Sequence, residues 1–173
     1  MTTDEYDVAR LVLQRGLAFA YLLAFVNVRN QFRPLLGEHG LLPVPRHLEH
    51  VRFTQAPSLF QWRYSDRLVG AVAWTGIALA SIALVGGFDA VPVWGSLTGW
   101  LALWALYLSV VNVGQVFYGF GWESLLLEAG LLVALLGNAQ VATPFVTIVL
   151  LRWLLFRVEF GAGMIKMRGD GCW

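Results

Sequence analysis

The chain has 173 residues, of which 58% are apolar, and its 12 basic and 11 acidic side chains leave a formal net charge of +1. Three uncharged runs, Leu68–Phe88 (21 residues), Ala90–Trp122 (33 residues) and Ala129–Leu151 (23 residues), each reach or pass the roughly 18 residues that signal a membrane span. So few charges cannot screen such runs from water, and a balanced charge gives no basic face for nucleic acid, so a soluble domain and a nucleic-acid binder are both excluded.

The expected fold class is therefore all-α, a multi-pass transmembrane helical protein with membrane lipid as a partner. The sequence predicts about five membrane segments, with three spans plus a re-entrant pair as the alternative. The tail 1–10 carries Asp4, Glu5 and Asp7 against Arg10, unlike the positive start of a cleaved leader, so the first segment is expected to stay attached as a signal anchor. That segment covers 11–28, with Arg15 placed to reach toward the headgroups. An extramembrane loop follows at 29–67. Its stretch Gln31–Arg67 holds five Arg, three His and three acids, and Pro34, Pro43, Pro45 and Pro57 divide it. No continuous helix crosses Pro43–Pro45, and Arg46–Phe53 suits one short interfacial helix. In the cluster His47, Glu49, His50 the two imidazoles, at i and i+3, share a helix face, but no third ligand is evident nearby and the spacing is not H-E-x-x-H, so no metal is assigned.

The second segment, 68–88, is rich in Gly and Ala that let a neighbouring helix approach closely. Gly86, Gly87 and Pro92 end it. The third, 94–113, repeats Trp100, Trp104 and Tyr107 on one face, continuing to Val111, and suits packing. The fourth, 120–137, is short for a full crossing and either spans or re-enters. The fifth, 144–160, opens on Pro144, whose missing donor costs nothing in a first helical turn. An extramembrane tail, 161–173, closes the chain. The lone cysteine, Cys172, excludes an internal disulfide.

Glu128 is the acid expected inside the membrane, where an unpaired charge costs about 2.5–3.5 kcal/mol. Arg152 and Arg157 in the fifth segment complete a membrane-interior charge network, and Glu128 is expected to pair with Arg152 through a bidentate fork. No catalytic residue is assigned: there is no H-x-E zinc arrangement, G-x-S-x-G elbow or phosphate loop. No cofactor is expected. One basic residue, Arg10, lies on the N-terminal side and eight on the side of the long loop, so the charge rule alone places the N-terminus outside.

Two long motifs, NVGQVFYGFGWESLLLEAG at Asn112–Gly130 and RWLLFRVEFGAGMIKMRGDGCW at Arg152–Trp173, closely resemble the lipase maturation factor family. The opening, from Gln14 through NQFRPLLGEHGLLPVPR at Asn30–Arg46, is similar to that family's first span and loop. The resemblance implies a membrane-embedded factor that assists maturation and folding of secreted proteins, with a secreted client such as a lipase as partner. It implies the endoplasmic reticulum membrane in a eukaryote and the plasma membrane in a bacterium. It also implies a cytosolic N-terminus and a lumenal first loop, the reverse of the charge rule, and this orientation is the one expected. Family members continue through a large soluble domain, so the chain reads as a fragment, split gene or truncated product. A distant similarity to vitamin K-dependent carboxylases leaves a membrane enzyme, or a fragment without independent function, as the alternative.

The same resemblance singles out a candidate functional face: Asn112, Gln115, Tyr118, Gly119, Gly121, Trp122, Glu123, Gly161, Gly163, Lys166, Arg168, Gly169 and Asp170. Gly114, Gly119 and Gly121 are expected to permit a tight turn, Trp122 to anchor at headgroup level and Glu123 to cap the next helix. The third and fifth segments end on one side of the membrane, which allows the two Gly-rich stretches to meet there.

Overall fold

The computed structural model describes residues 6–168. Its described elements are helical: α1 Asp7–Leu36, α2 Val44–Leu48, α3 Asp66–Val85, α4 Val93–Val113, α5 Gly121–Ala134 and α6 Phe145–Arg168, with short 3-10 turns at Leu59–Gln61 and Gln115–Tyr118. Three of these, α1, α3 and α4, are long and apolar enough to cross a membrane. The molecule is thus an all-α multi-pass membrane protein with three clear spans, and the expectation of five is corrected. At 14 residues α5 is about 21 Å long, short of a hydrocarbon core of about 30 Å. Helix α6 has the length, with 24 residues, but carries Arg152, Arg157 and Glu159 through its middle.

Helix α1 begins four residues before the expected first segment and runs eight beyond it, taking in Pro34. Its buried residues, Arg10, Gln14, Ala18, Tyr21, Phe25, Val28, Phe32 and Leu36, recur every three or four positions, so a single stripe faces the other helices along the whole length. The chain then folds back: Leu41 N–H donates to Pro34 O at 3.3 Å and Leu42 N–H to Leu35 O at 2.8 Å, satisfying carbonyls that the helix end leaves open. Helix α2 starts at Val44, earlier than expected and ending before Phe53, because Pro45 falls in the first turn, where no donor is needed.

Ser65 caps α3 by accepting from Leu68 N–H at 3.1 Å. Its other end closes at Gly86 (φ +96°), a left-handed position suited to glycine, with Gly87 N–H reaching Ile82 O at 2.8 Å. Arg15 donates to Ala83 O at this C-terminus and pairs with Asp89 at 2.6 Å, at the end of the spanning helix.

The core is aromatic and glycine-matched. Tyr107 meets Tyr21 and Phe25 edge-on at 5.7 and 5.6 Å between ring centroids, and Tyr21 and Phe25 stack at 6.3 Å. The Phe25 ring occupies the space where a Gly76 side chain would be, and the Tyr21 hydroxyl does the same at Gly130. These glycines let α3 and α5 approach α1, as small residues do where lipid supplies no hydrophobic drive. In α4, Trp100 and Tyr107 are buried, whereas Trp104 is partly exposed.

The helices alternate in direction, giving two polar ends. One, the loop face, carries residues 37–65 and the α4–α5 elbow. The other, the turn face, carries the start of α1 and the connections 86–92 and 135–144. There Arg10 donates to Val141 O at 2.9 Å, Gln14 to Gly137 O at 2.8 Å, and fully buried Asn138 to Val91 O at 2.8 Å. Helix α6 lies along α5 as an outer layer, with only Thr147 and Leu154 buried. It continues past residue 160 through Gly161 and Gly163, so the expected tail is helical as far as Arg168.

Candidate functional site

The α4–α5 elbow holds the loop across its end of the bundle. The Asn112 amide, in the last turn of α4, donates to Pro57 O at 2.7 Å, and the Gln115 amide donates to Leu42 O at 3.0 Å. One turn deeper, Ser58 hydroxyl donates to Ser109 O at 2.9 Å and Leu59 N–H to the Ser109 hydroxyl at 3.2 Å. Between these polar pins Phe60 and Val44 are fully buried, and Phe60 meets Phe32 and Tyr64 with centroids 6.4 and 5.9 Å away. Burial, and then the Asp66 carboxylate beside it, push the Tyr64 hydroxyl above its usual range. It therefore stays protonated and contacts both Leu36 O (3.3 Å) and Asp66 (3.2 Å).

The elbow's geometry differs from the expected glycine turn. Its positive φ falls on Gln115 (φ +50°), an uncommon conformation for a side-chain-bearing residue, held here by the bond to Leu42. Gly114 serves close approach instead, because the Tyr118 ring lies where its side chain would be. Tyr118 in turn sits 6.1 Å from Phe32. Gly119 takes φ −80°, and Gly121 opens α5 with free space around it.

Glu123 does not cap α5. It turns inward, 2% exposed, and accepts a hydrogen bond from the Tyr107 hydroxyl of α4. Trp122 is half exposed and lines a lateral apolar groove of about 750 Å³ between α1, α5 and α6.

Glu128 is bidentate to Arg157, at 2.8 and 3.3 Å, and not to Arg152. The helix face explains this, not the height. Thr147 donates to Leu135 O, which sets Glu128 level with Leu154, between the two arginines. Arg152, five residues earlier, points about 140° away around α6. It donates to the Tyr6 hydroxyl at 3.2 Å and lies 5.9 Å over that ring. The Glu128–Arg157 pair is half exposed, on the outer surface of the helices.

Lys166 and Arg168 are exposed on the last turn of α6, and Gly161 and Gly163 have open space around them. Among the described residues no hydrogen bond joins 161–168 to 112–123. Gly169 and Asp170 lie outside the described residues. No group of three or more metal-ligating side chains is found among the described residues, and His50 Nδ1 sits 2.9 Å from Arg46 O.

Sequence reasoning missed Ser58, Ser109, Gln14 and Asn138. The signal for Gln14 was present: it shares the i, i+4 face of Arg10 and Ala18 in α1.

The model of the lipase maturation factor transmembrane domain matches residues 8–173, nearly the whole chain. The chain belongs to the lipase maturation factor family. Lipase maturation factor 1 of Mus musculus is 41% identical over 187 residues, which cover 99% of this chain and 33% of the relative. Lipase maturation factor 1 of Bos taurus is 38% identical, over 100% of this chain and 34% of the relative. Lipase maturation factor 2 of Xenopus laevis is 35% identical, over 94% and 25%. The chain thus spans about a third of the length of the lipase maturation factor 1 relatives. No solved structure matches.

Proposed function

We propose that this chain is the membrane-embedded part of a factor that assists maturation of secreted proteins, with lipases as the client class. The observation that carries this reading is the match to the lipase maturation factor transmembrane domain over residues 8–173. The geometry fits a holding device: Asn112, Gln115, Ser58 and Ser109 fix a 29-residue polar loop, 37–65, on one end of the bundle. The candidate face comprises that loop with the elbow residues Tyr118, Gly119, Gly121 and Trp122, held from within by buried Glu123, and α6 ends on the same side with Lys166 and Arg168. Helices α5 and α6 form a hairpin embedded beside the three spans, closed on its outer side by Glu128 and Arg157. In an animal cell the protein resides in the endoplasmic reticulum membrane with the loop face in the lumen, where clients fold; in a bacterium it resides in the plasma membrane.

The test is co-expression of the full chain with a secreted homodimeric lipase in cells lacking their own maturation factor, reading secreted lipase activity against total lipase protein. The reading expects more active secreted enzyme per unit of lipase made, and loss of that gain in Asn112→Ala/Gln115→Ala at unchanged abundance of the chain. No gain from the intact chain contradicts it.

A further inference from the structure

A cationic groove lies between α1 and α3 at the loop face, outside the elbow and the α5–α6 hairpin. On α1, Arg29 and Arg33 stand one turn apart. On α3, Arg67, Gly70 and Trp74 follow at three- and four-residue intervals, so both stripes border one pocket of about 430 Å³. The Arg29 guanidinium lies 5.9 Å over the Trp74 ring, which orients it toward the groove. Arg33 pairs with Asp66 at 3.4 Å, while among the described residues neither Arg29 nor Arg67 meets a carboxylate. Three guanidinium groups face Asp66 and, beside it, Glu38, whose carboxylate accepts from Asp66 N–H at 3.4 Å, which still leaves the rim a surplus of positive charge.

Depth completes the argument. Arg67 lies in the first turn of a membrane-spanning helix, and Trp74 is seven residues further in, about 10 Å deeper. The groove therefore descends from the headgroup level toward hydrocarbon, with Arg67 at its rim and Arg29 reaching the Trp74 ring further in. A side chain added at Gly70 would meet nothing within 4 Å, so its floor is open. Arginine's planar fork suits a phosphate, and cations at the membrane surface attract anionic lipid. We propose that this groove is a binding site for one anionic phospholipid, its phosphodiester held by Arg29 and Arg67 and an acyl chain lying along Gly70 and Trp74. The site is independent of the reading of the elbow.

The experiment is native mass spectrometry of the full chain in detergent, titrated with phosphatidylglycerol or phosphatidylcholine of identical acyl chains. The site predicts tighter binding of one phosphatidylglycerol than of phosphatidylcholine. Arg29→Gln/Arg67→Gln should weaken it roughly thirtyfold, at about a factor of five per surface cation. Gly70→Leu, which alters no charge, should also weaken it. Arg46→Gln/Arg52→Gln, removing equal charge from the distant part of the loop, should leave it unchanged. Equal affinity for the two lipids, equal loss in the loop control, or unaltered binding in Gly70→Leu overturns the site. Complete displacement by inorganic phosphate at the lipid's own concentration overturns the assignment to a lipid.

Discussion

Two buried contacts inside the bundle show how single side chains decide the packing. Glu123 takes the Tyr107 hydroxyl as its partner between α5 and α4, at a position where neither group meets water. Removing the carboxyl in Glu123→Ala leaves that hydroxyl unsatisfied and should cost about 1–3 kcal/mol, whereas Glu123→Gln keeps an acceptor and should cost less. Thermal unfolding in detergent reads the difference; equal losses would mean that the hydrogen bond is immaterial. Gly76 gives a second comparison. Gly76→Val drives a side chain into the Phe25 ring and should destabilise by about 1–3 kcal/mol, while Gly70→Ala on the same helix, with open space, should be neutral. The small residues of α3 were readable as a packing surface from composition alone. The inward turn of Glu123 was not, because an acid in a first helical turn satisfies the capping rule equally well until the neighbouring Tyr107 is placed.

Among the elements, the α5–α6 pair depends on which helix faces meet. Glu128 and Arg157 face one another because the 135–144 connection returns the chain antiparallel with Leu154 buried and Arg157 turned toward α5 on the outer surface. The sequence supplied the acid and both arginines, but choosing between Arg152 and Arg157 required knowing which face of α6 meets α5. The pair is half exposed on the outer surface of the hairpin, and where that surface meets lipid each charge left unpaired costs about 2.5–3.5 kcal/mol. Glu128→Arg and Arg157→Glu alone should each lower the yield of folded protein, and the swap should restore most of it. The Glu128→Arg/Arg152→Glu swap should not. Restoration by the second swap and not the first would contradict the observed pairing. The elbow behaves similarly: Asn112→Ala/Gln115→Ala removes two hydrogen bonds to the loop, and limited trypsin digestion should then cut faster at Arg46, Arg52 and Arg63. Unchanged cleavage would show that Ser58, Phe60 and Val44 hold the loop without these two hydrogen bonds.

For the whole molecule, hydropathy located α3 and α4 to within a few residues, because uncharged runs bounded by Gly86 and Pro92 leave little freedom. It shortened α1, whose ends are polar yet helical, and it promoted α5 and α6 to spans. Apolar content records what lipid tolerates, but not whether 14 residues reach across or whether a charged helix lies at the edge of a bundle. The candidate face was legible only in part: the resemblance named Asn112 and Gln115, while their partners Pro57 and Leu42 sit more than fifty residues away and carry no signal of their own.

The central claim is that the polar loop occupies one membrane face and the 86–92 and 135–144 connections the other. Single cysteines at His39→Cys, Ala90→Cys and Lys166→Cys, each in a Cys172→Ser background, can be probed with a membrane-impermeant maleimide before and after permeabilisation. The account predicts that His39→Cys and Lys166→Cys label from one side and Ala90→Cys from the opposite side. Labelling of His39→Cys and Ala90→Cys from the same side would contradict it.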